Sequence, residues 1–232
     1  MNWPTWNQAA IAAVVAAAAA VLIRRRGGSG VVGVLGEAAT EFALISGLYS
    51  LWRIARNLPL AQEEGAIERA RSIVAFEQRL HLPTELSLQQ WFLEHDTLAR
   101  LANTYYATLH VPMLLGFLVW LFVRHREHFA RWRNALAILT GFCLVIRFVR
   151  VAPPRFLGEL GYVDLSTRYG LSIYGPVGTG VSDQFAAMPS IHVGWAAVVS
   201  FGVVAAGTSR WRWLALAHVV ITFVVVSATG NH

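Results

Sequence analysis

Residues 186–195 read AAMPSIHVGW and open an apolar stretch that follows a polar, glycine-rich loop. Pro189 has the fixed φ that suits the first turn of a helix, so we expect a helix to begin there. The first backbone N–H groups of that helix lack partners within it and attract an anion such as phosphate, together with Ser190. His192 lies inside the first turn and can donate a proton to a group that leaves phosphorus. The segment therefore predicts a phosphate site at the N-terminus of an apolar helix.

The composition is that of a membrane protein. Of the 232 residues, 56% are hydrophobic, only 14% are charged and nine are Trp, which is too apolar for an ordinary soluble domain. All nineteen basic residues are Arg, and most of them flank apolar runs as topology signals do. We therefore expect membrane lipids as partners and no nucleic acid. The single Cys143 lies in an apolar run, so no disulfide or cysteine-based zinc site can form within the chain.

The apolar runs predict an all-α fold, a polytopic membrane helix bundle with about six transmembrane helices, because a span needs about 20 mainly apolar residues. The predicted spans are about Trp6–Ile23, Gly36–Leu58, Leu101–Val123, Ala135–Val151, Ile191–Gly207 and Trp211–Gly230. Pro59–Asp96 is polar with apolar residues at helical spacing, which predicts amphipathic helices on the membrane surface. We therefore divide the chain into an N-terminal part, residues 1–96, and a helix bundle, residues 97–232.

The arginines also predict the direction of the spans. Nine of them lie in three connections that fall on one side, namely Arg24–Arg26, Arg124–Arg133 and Arg210–Arg212. The positive-inside rule makes that side cytoplasmic. The last turn of the fourth span, the start of the fifth and the end of the sixth then share the outer face. We expect the long loop Ala152–Met188 to cover a phosphate site there.

Three motifs resemble those of one family, in the same order along the chain. Ala187–His192 is similar to the second signature of the type 2 phosphatidic acid phosphatase superfamily, Val151–Arg155 to the first and Ala228–His232 to the start of the third. The sequences APPRFL, FAAMPSIHVGW and ATGNH particularly resemble those of the branch that contains fungal inositol phosphorylceramide synthase and its bacterial relatives. The resemblance covers about Asn103–His232.

This resemblance implies a metal-independent enzyme without a cofactor that acts on a lipid phosphate. It would be a phosphatase, or a phosphotransferase with a polyol acceptor. His232 would attack phosphorus and form a phosphohistidine, while His192 would protonate the leaving alcohol. Arg155 and Ser190 would hold phosphate oxygens. Such phosphoryl transfer depends mainly on positioning and charge stabilisation, and arginine matches phosphate oxygens bidentately.

One phosphate-binding position of the family differs in this chain. The first signature has a lysine seven residues before its arginine, and that position is Phe148 here. Arg147 and Arg150 are the nearest substitutes, and the sequence does not choose between them.

The third signature also differs from the family pattern. The broad family has an arginine where this chain has Val226, and an aspartate four residues after the signature histidine, whereas this sequence stops at His232. A nucleophilic imidazole needs such an orienting group. We expect the natural protein to continue beyond His232, with Asp164, Asp183 or the terminal carboxylate as the alternatives.

Further polar residues predict a second part of the site. His110 lies one turn from Tyr106 within a predicted span, and such residues face protein or a wet cavity. Together with Asp183 they are candidates for a head-group or acceptor pocket, although pairing between helices is the alternative. The chain is rich in Arg and Ala, which favours a bacterial plasma membrane with the site facing outside. A non-catalytic lipid-phosphate-binding membrane protein is the alternative function.

Overall fold

The computed structural model describes residues 4–27, 30–57, 65–81, 84–146, 148–169, 185 and 187–231. It divides into two compact units, Met1–Pro59 and Leu60–His232. The regular elements of the described residues are helices, which confirms the predicted all-α fold. This division falls after residue 59, so the boundary that the sequence suggested after residue 96 stays a prediction.

The first unit is a helical hairpin of α1 (Trp6–Arg25) and α2 (Val31–Asn57). Hydrogen bonds join it at both ends: the Ser50 hydroxyl donates to the carbonyl of Trp6 at 2.8 Å, and the Arg24 guanidinium donates to the Thr40 hydroxyl at 3.0 Å. The two helices are therefore antiparallel. Most of their apolar side chains are exposed, as expected for helices whose outer surface meets lipid.

The second unit contains the remaining helices. They are α3 (Ala66–Arg79), α4 (Glu85–Glu94), α5 (Asp96–Thr108), α6 (His110–Arg124), α7 (Arg126–Ile146), α8 (Leu165–Tyr169), α9 (Ile191–Ala206) and α10 (Leu216–Thr229). Short 3-10 helices cover Pro154–Phe156, Gly158–Leu160 and Arg210–Ala215, and the last of these runs into α10. Within this unit α9 packs against α6, α7 and α10, while α10 also packs against α4 and α5.

Among the described residues, four helices are long and apolar enough to cross a membrane: α1, α2, α7 and the run Arg210–Thr229. The pair α5–α6 makes a fifth if it is counted as one bent span, and α9 is a shorter apolar helix of 16 residues. An apolar helix therefore overlaps each of the six predicted spans, although α7 begins at Arg126, nine residues before the predicted fourth span, so that Arg126–Arg133 lie within this helix and not in a connection. Five of these helices are long enough to span a membrane when the bent pair α5–α6 is counted as one span, and the sixth, α9, is too short.

The third predicted span is not straight. It bends by 50° between α5 and α6, at Leu109. The cause is Pro112, which has no N–H to donate to the carbonyl of Thr108 and whose ring would crowd that carbonyl in a straight helix. The hydroxyls of Thr104 and Thr108 also bond back to carbonyls four residues earlier, at 2.8 and 2.7 Å, which favours bending.

Small residues let α9 approach its neighbours. A Cβ added at Gly202 would collide with the ring of Phe117 on α6 and lie 3.2 Å from Trp132 on α7. The indole N–H of Trp195 donates to the Thr140 hydroxyl on α7 at 3.0 Å. The start and the end of α9 are thus fixed against α6 and α7, which positions its first turn.

The predicted amphipathic region forms helices α3 and α4. One face of α3 buries Ala66, Ala70 and Val74 against a core that contains Val151 and Leu157. The spacing of four residues is that of one helical face, as the sequence indicated. That these helices lie on a membrane surface stays a prediction.

A fully buried glutamine on α4 joins two distant segments. The side-chain amide of Gln89 donates to the carbonyls of Val163 and Ala228 at 3.0 and 3.2 Å, and its oxygen accepts from the N–H of Val163 at 2.8 Å. Gln89 therefore holds the loop before α8 beside the last turn of α10. Sequence analysis did not single it out.

We expect Gln89→Leu to destabilise the protein by about 2–4 kcal/mol, because it leaves the buried backbone groups of Val163 and Ala228 without partners. Thermal unfolding in detergent micelles measures this effect. Gln90→Leu is the matched control, since Gln90 is its exposed neighbour on α4. Equal melting temperatures for the two variants would contradict the prediction.

Candidate active site

The three motif segments meet through backbone hydrogen bonds of the segment Val151–Arg155. The N–H of Val151 donates to the carbonyl of Phe185 at 2.9 Å, and the N–H of Ala187 donates to the carbonyl of Val151 at 3.2 Å. At the other end, the N–H of Arg155 donates to the carbonyl of Gly230 at 3.2 Å. The first motif is therefore bonded to the segment that leads into the second motif and to the segment that contains the third.

Gly230 allows this close approach to the third motif. It ends α10 in the left-handed conformation, with φ at 63°, and a Cβ there would lie 3.2 Å from the nitrogen of Arg155. The next residue, Asn231, is buried, and its N–H donates to the carbonyl of Val226 at 3.3 Å. The chain is thus held in place up to the residue before His232, which itself lies outside the described residues.

Arg155 places a buried cation at the meeting point. Its side chain is only 2% exposed, and its Nε lies 3.9 Å from Oδ2 of Asp164. Its guanidinium carbon lies 4.9 Å from the centre of the Phe156 ring. A buried charge is stable only with partners of opposite charge, and a phosphate is such a partner. The position suits the predicted role of Arg155 in holding phosphate oxygens, which stays a prediction.

Asp164 has partners that the sequence did not reveal. Its carboxylate accepts hydrogen bonds from the N–H and hydroxyl of Ser166 at 2.9 and 2.5 Å and from the hydroxyl of Thr167 at 3.0 Å. It therefore caps α8 as well as facing Arg155. Burial by itself would raise the pKa of Asp164, but the bonds from Ser166 and Thr167 and the charge of Arg155 outweigh it and lower that pKa. Its other proposed role, orienting His232, stays untested.

The second motif begins its helix later than expected. Ser190 is the N-cap with extended backbone, φ −67° and ψ 111°, and α9 starts at Ile191. Pro189 thus lies before the helix and not in its first turn, because serine is a favoured N-cap and begins the helical hydrogen bonds with its own carbonyl. That carbonyl accepts from the N–H of Gly194 at 3.1 Å. The Ser190 hydroxyl is buried and makes no hydrogen bond within the described residues.

His192 lies in the first turn of α9 within a cluster of rings. Its imidazole centre lies 4.7 Å from the ring of Tyr106, 4.8 Å from that of His110 and 6.3 Å from that of Trp195. Tyr106 and His110 are almost fully buried. Of the predicted pocket residues, these two therefore lie against the predicted general acid, whereas Asp183 lies outside the described residues.

The structure describes only one of the two arginines that could replace the family's lysine. Arg150 is half-buried, and its carbonyl accepts a hydrogen bond from the guanidinium of Arg69 on α3. Arg147 lies outside the described residues, so the choice between them stays open. Among the described residues, no group of three or more His, Cys, Asp or Glu could hold a metal ion.

Several polar residues near the motifs were missed at the sequence level. Besides Gln89, they include Asn103 on α5, which is fully buried, and His218 and Thr222 on α10, which bond to the Tyr105 hydroxyl at 2.7 and 3.0 Å. The sequence signal for such residues is a polar side chain at a position whose neighbours are buried. Thr222 on α10 is one such residue, but its partner on α5 is 117 positions away, so periodicity could not identify the pair.

The stability supplied by Asp164 should depend on pH. Its pKa is lower in the folded chain than the value near 4 of an unfolded chain. Its contribution is therefore complete above about pH 4 and is lost as the pH falls through the folded pKa. We expect Asp164→Asn to lower the melting temperature most at pH 6, with the difference from wild type shrinking below about pH 4. Glu94→Gln, at an exposed carboxylate on α4, is the control, and a difference that does not change with pH would refute the prediction.

The family model described as the PAP2 superfamily matches residues 71–232, well over half of the chain. No curated protein and no solved structure matches significantly. The matched range begins within α3 and contains all three motif segments and the whole ring cluster around His192. The chain therefore belongs to the PAP2 superfamily, whose members are phosphatases and phosphotransferases.

Proposed function

We propose that this protein is an integral-membrane lipid-phosphate phosphatase or phosphotransferase that works through a phosphohistidine. The observation that carries the proposal is the set of backbone bonds between the three motif segments. Residues bonded to one short segment, Val151–Arg155, include both Ala187, five residues before His192, and Gly230, two residues before His232. Two histidines far apart in the sequence thus belong to segments that share one support.

In the first half-reaction, an imidazole nitrogen of His232 attacks phosphorus and the bond from phosphorus to the lipid oxygen breaks. His192, as imidazolium, gives its proton to that oxygen, so that an alcohol leaves and His232 carries the phosphoryl group. The guanidinium of Arg155, the Ser190 hydroxyl and the first N–H groups of α9 hold the other phosphate oxygens. Arg150 or Arg147 adds a further positive charge.

In the second half-reaction, a hydroxyl group attacks the phosphohistidine and the bond from phosphorus to nitrogen breaks. Neutral His192 takes the proton of the attacking hydroxyl, which restores both histidines. Water as acceptor makes the protein a phosphatase, and a polyol makes it a phosphotransferase. The motif sequences resemble those of the inositol phosphorylceramide synthase branch, and this resemblance favours a polyol such as inositol as the acceptor.

The arginine distribution supports a site on the outer face. Arg124 ends α6, and Arg126, Arg131 and Arg133 lie in the first half of α7, so that the junction of these helices is rich in arginine, while the first motif segment follows the opposite end of α7. The positive-inside rule then places the arginine-rich junction in the cytoplasm. We propose the plasma membrane of a bacterium as the location, with lipid phosphates reaching the site from the outer leaflet.

Phosphate release from detergent-solubilised lipid phosphates tests the proposal, using phosphatidic acid, sphingosine phosphate and a prenyl diphosphate. We expect His192→Ala to lower turnover at least about 100-fold, because general acid–base catalysis contributes that much. EDTA should leave turnover unchanged. His128→Ala is the control, since His128 lies in the first turn of α7, in the arginine-rich junction.

Trapping the intermediate separates the outcomes. A radiolabelled phosphoryl group should stay on the wild-type protein in alkali and be lost in acid, as expected for phosphohistidine. If no lipid phosphate yields phosphate or labelled protein, addition of inositol to the same assay tests for transfer. Specific binding of a lipid phosphate without labelled protein or product would identify the non-catalytic alternative and refute the enzyme.

A further inference from the structure

The bend between α5 and α6 holds buried polar groups without partners. Asn103 is fully buried and His110 is 6% exposed. Within the part of the chain that the structure describes, neither the amide atoms of Asn103 nor the ring nitrogens of His110 make a hydrogen bond. Each such group is less stable when buried than one that is hydrogen-bonded, because it has lost water and gained no partner. Buried polar groups are usually satisfied, so four orphaned atoms in two neighbouring turns indicate a ligand.

These residues lie next to Tyr106. Asn103 and Tyr106 are three positions apart on one face of α5, and beyond the bend the ring of His110 lies 5.9 Å from that of Tyr106. The ring of His110 is held edge-on by Tyr105, at 5.5 Å and 90° between ring planes. Tyr105 is in turn bonded to His218 and Thr222 on α10. The orientation of His110 is therefore fixed by its neighbours, although its nitrogens have no partner there.

His110 adjoins the proposed general acid. The ring centres of His110 and His192 lie 4.8 Å apart with their planes 55° from each other. One oxygen atom can bridge nitrogens of two rings at this separation, because each hydrogen bond spans about 2.8 Å. A hydroxyl group suits the bridge, since it donates one hydrogen bond and accepts others.

We propose that Asn103, Tyr106 and His110 form the acceptor subsite, which binds the hydroxyl group that attacks the phosphohistidine. This inference rests on the proposed function and adds to it the place and the chemistry of the second substrate. The amide and the imidazole offer both donors and acceptors, so they fit a hydroxyl compound, which also donates and accepts hydrogen bonds. Water and a polyol share this chemistry. The charged side of the site, at Arg155, is left for the phosphate.

The roles of the residues follow from the proton balance. The acceptor oxygen forms its bond to phosphorus and loses its proton to His192, while the bond from phosphorus to His232 breaks. His110 and Asn103 position that oxygen and exchange no proton in the net reaction. Both are therefore positioning residues, and their removal should impair the second half-reaction alone.

The test uses the full-length protein in micelles with the substitutions Asn103→Leu and His110→Phe. Leucine and phenylalanine preserve most of the volume and remove the orphaned polar atoms, so we expect an unchanged or higher melting temperature. Thr97→Ala, at an exposed residue on α5, is the control. A stable variant with a specific kinetic loss distinguishes a binding role from a structural one.

Two measurements isolate the second half-reaction. Exchange of ¹⁸O between inorganic phosphate and water reports attack by water, and the ratio of phosphorylated inositol to free phosphate reports attack by a polyol. We expect each variant to slow at least one of these about 10-fold or more, while labelling of the protein by the best lipid phosphate changes less than about twofold. Loss of exchange alone identifies water as the occupant, and loss of transfer identifies the polyol.

An equal loss of rate in both half-reactions, or no loss of rate in either, would refute the assignment of this subsite. If the wild-type protein is never labelled and catalyses no exchange, the proposed function fails instead. In that case the ¹⁵N ring signals of His110, assigned through His110→Phe, decide the subsite by themselves. Addition of inositol should shift them, and signals that stay in place would remove the remaining support for a hydroxyl-binding face.

Discussion

Three backbone hydrogen bonds at the ends of Val151–Arg155 hold the candidate site together. They connect this segment to Phe185 and Ala187 on one side and to Gly230 on the other. Backbone bonds of this kind impose no demand on side chains except at Gly230, whose left-handed φ and narrow clearance exclude a Cβ. Because the segment itself packs on α3 through Val151 and Ala152, α3 supports the site and is more than a connection.

Buried polar groups divide into two kinds in the second unit. Gln89 and Asp164 are satisfied by hydrogen bonds, and they fix loop segments to α10 and α8. Asn103 and His110 have no hydrogen-bond partner in the described part of the chain. A protein gains stability from the first kind and loses it through the second. Unsatisfied buried polar groups near His192 therefore have a physical rationale when a ligand supplies their hydrogen bonds.

The sequence predicted the helices well and their details less well. Apolar runs located an apolar helix at every predicted span, because burial in lipid requires long apolar segments with internally bonded backbone. The bend at Leu109 was missed although Pro112 lies in the middle of the predicted third span, where a proline removes a hydrogen bond and kinks a helix. The start of α9 was placed early because Pro189 suits a first turn, although Ser190 is the better N-cap.

The sequence by itself determined the all-α membrane character, the three ordered motifs and the superfamily. These features depend on composition and on contiguous residues, which local patterns report directly. Only the tertiary structure decided that Asp164 faces Arg155, that Gln89 joins the loop before α8 to the last turn of α10, and that the ring of His110 lies beside that of His192. The Gln89 and His110 contacts join segments separated by tens of residues, and the contact between Arg155 and Asp164 joins residues nine positions apart across irregular chain. Helix packing brings these segments together, and no local pattern in a single sequence encodes such contacts.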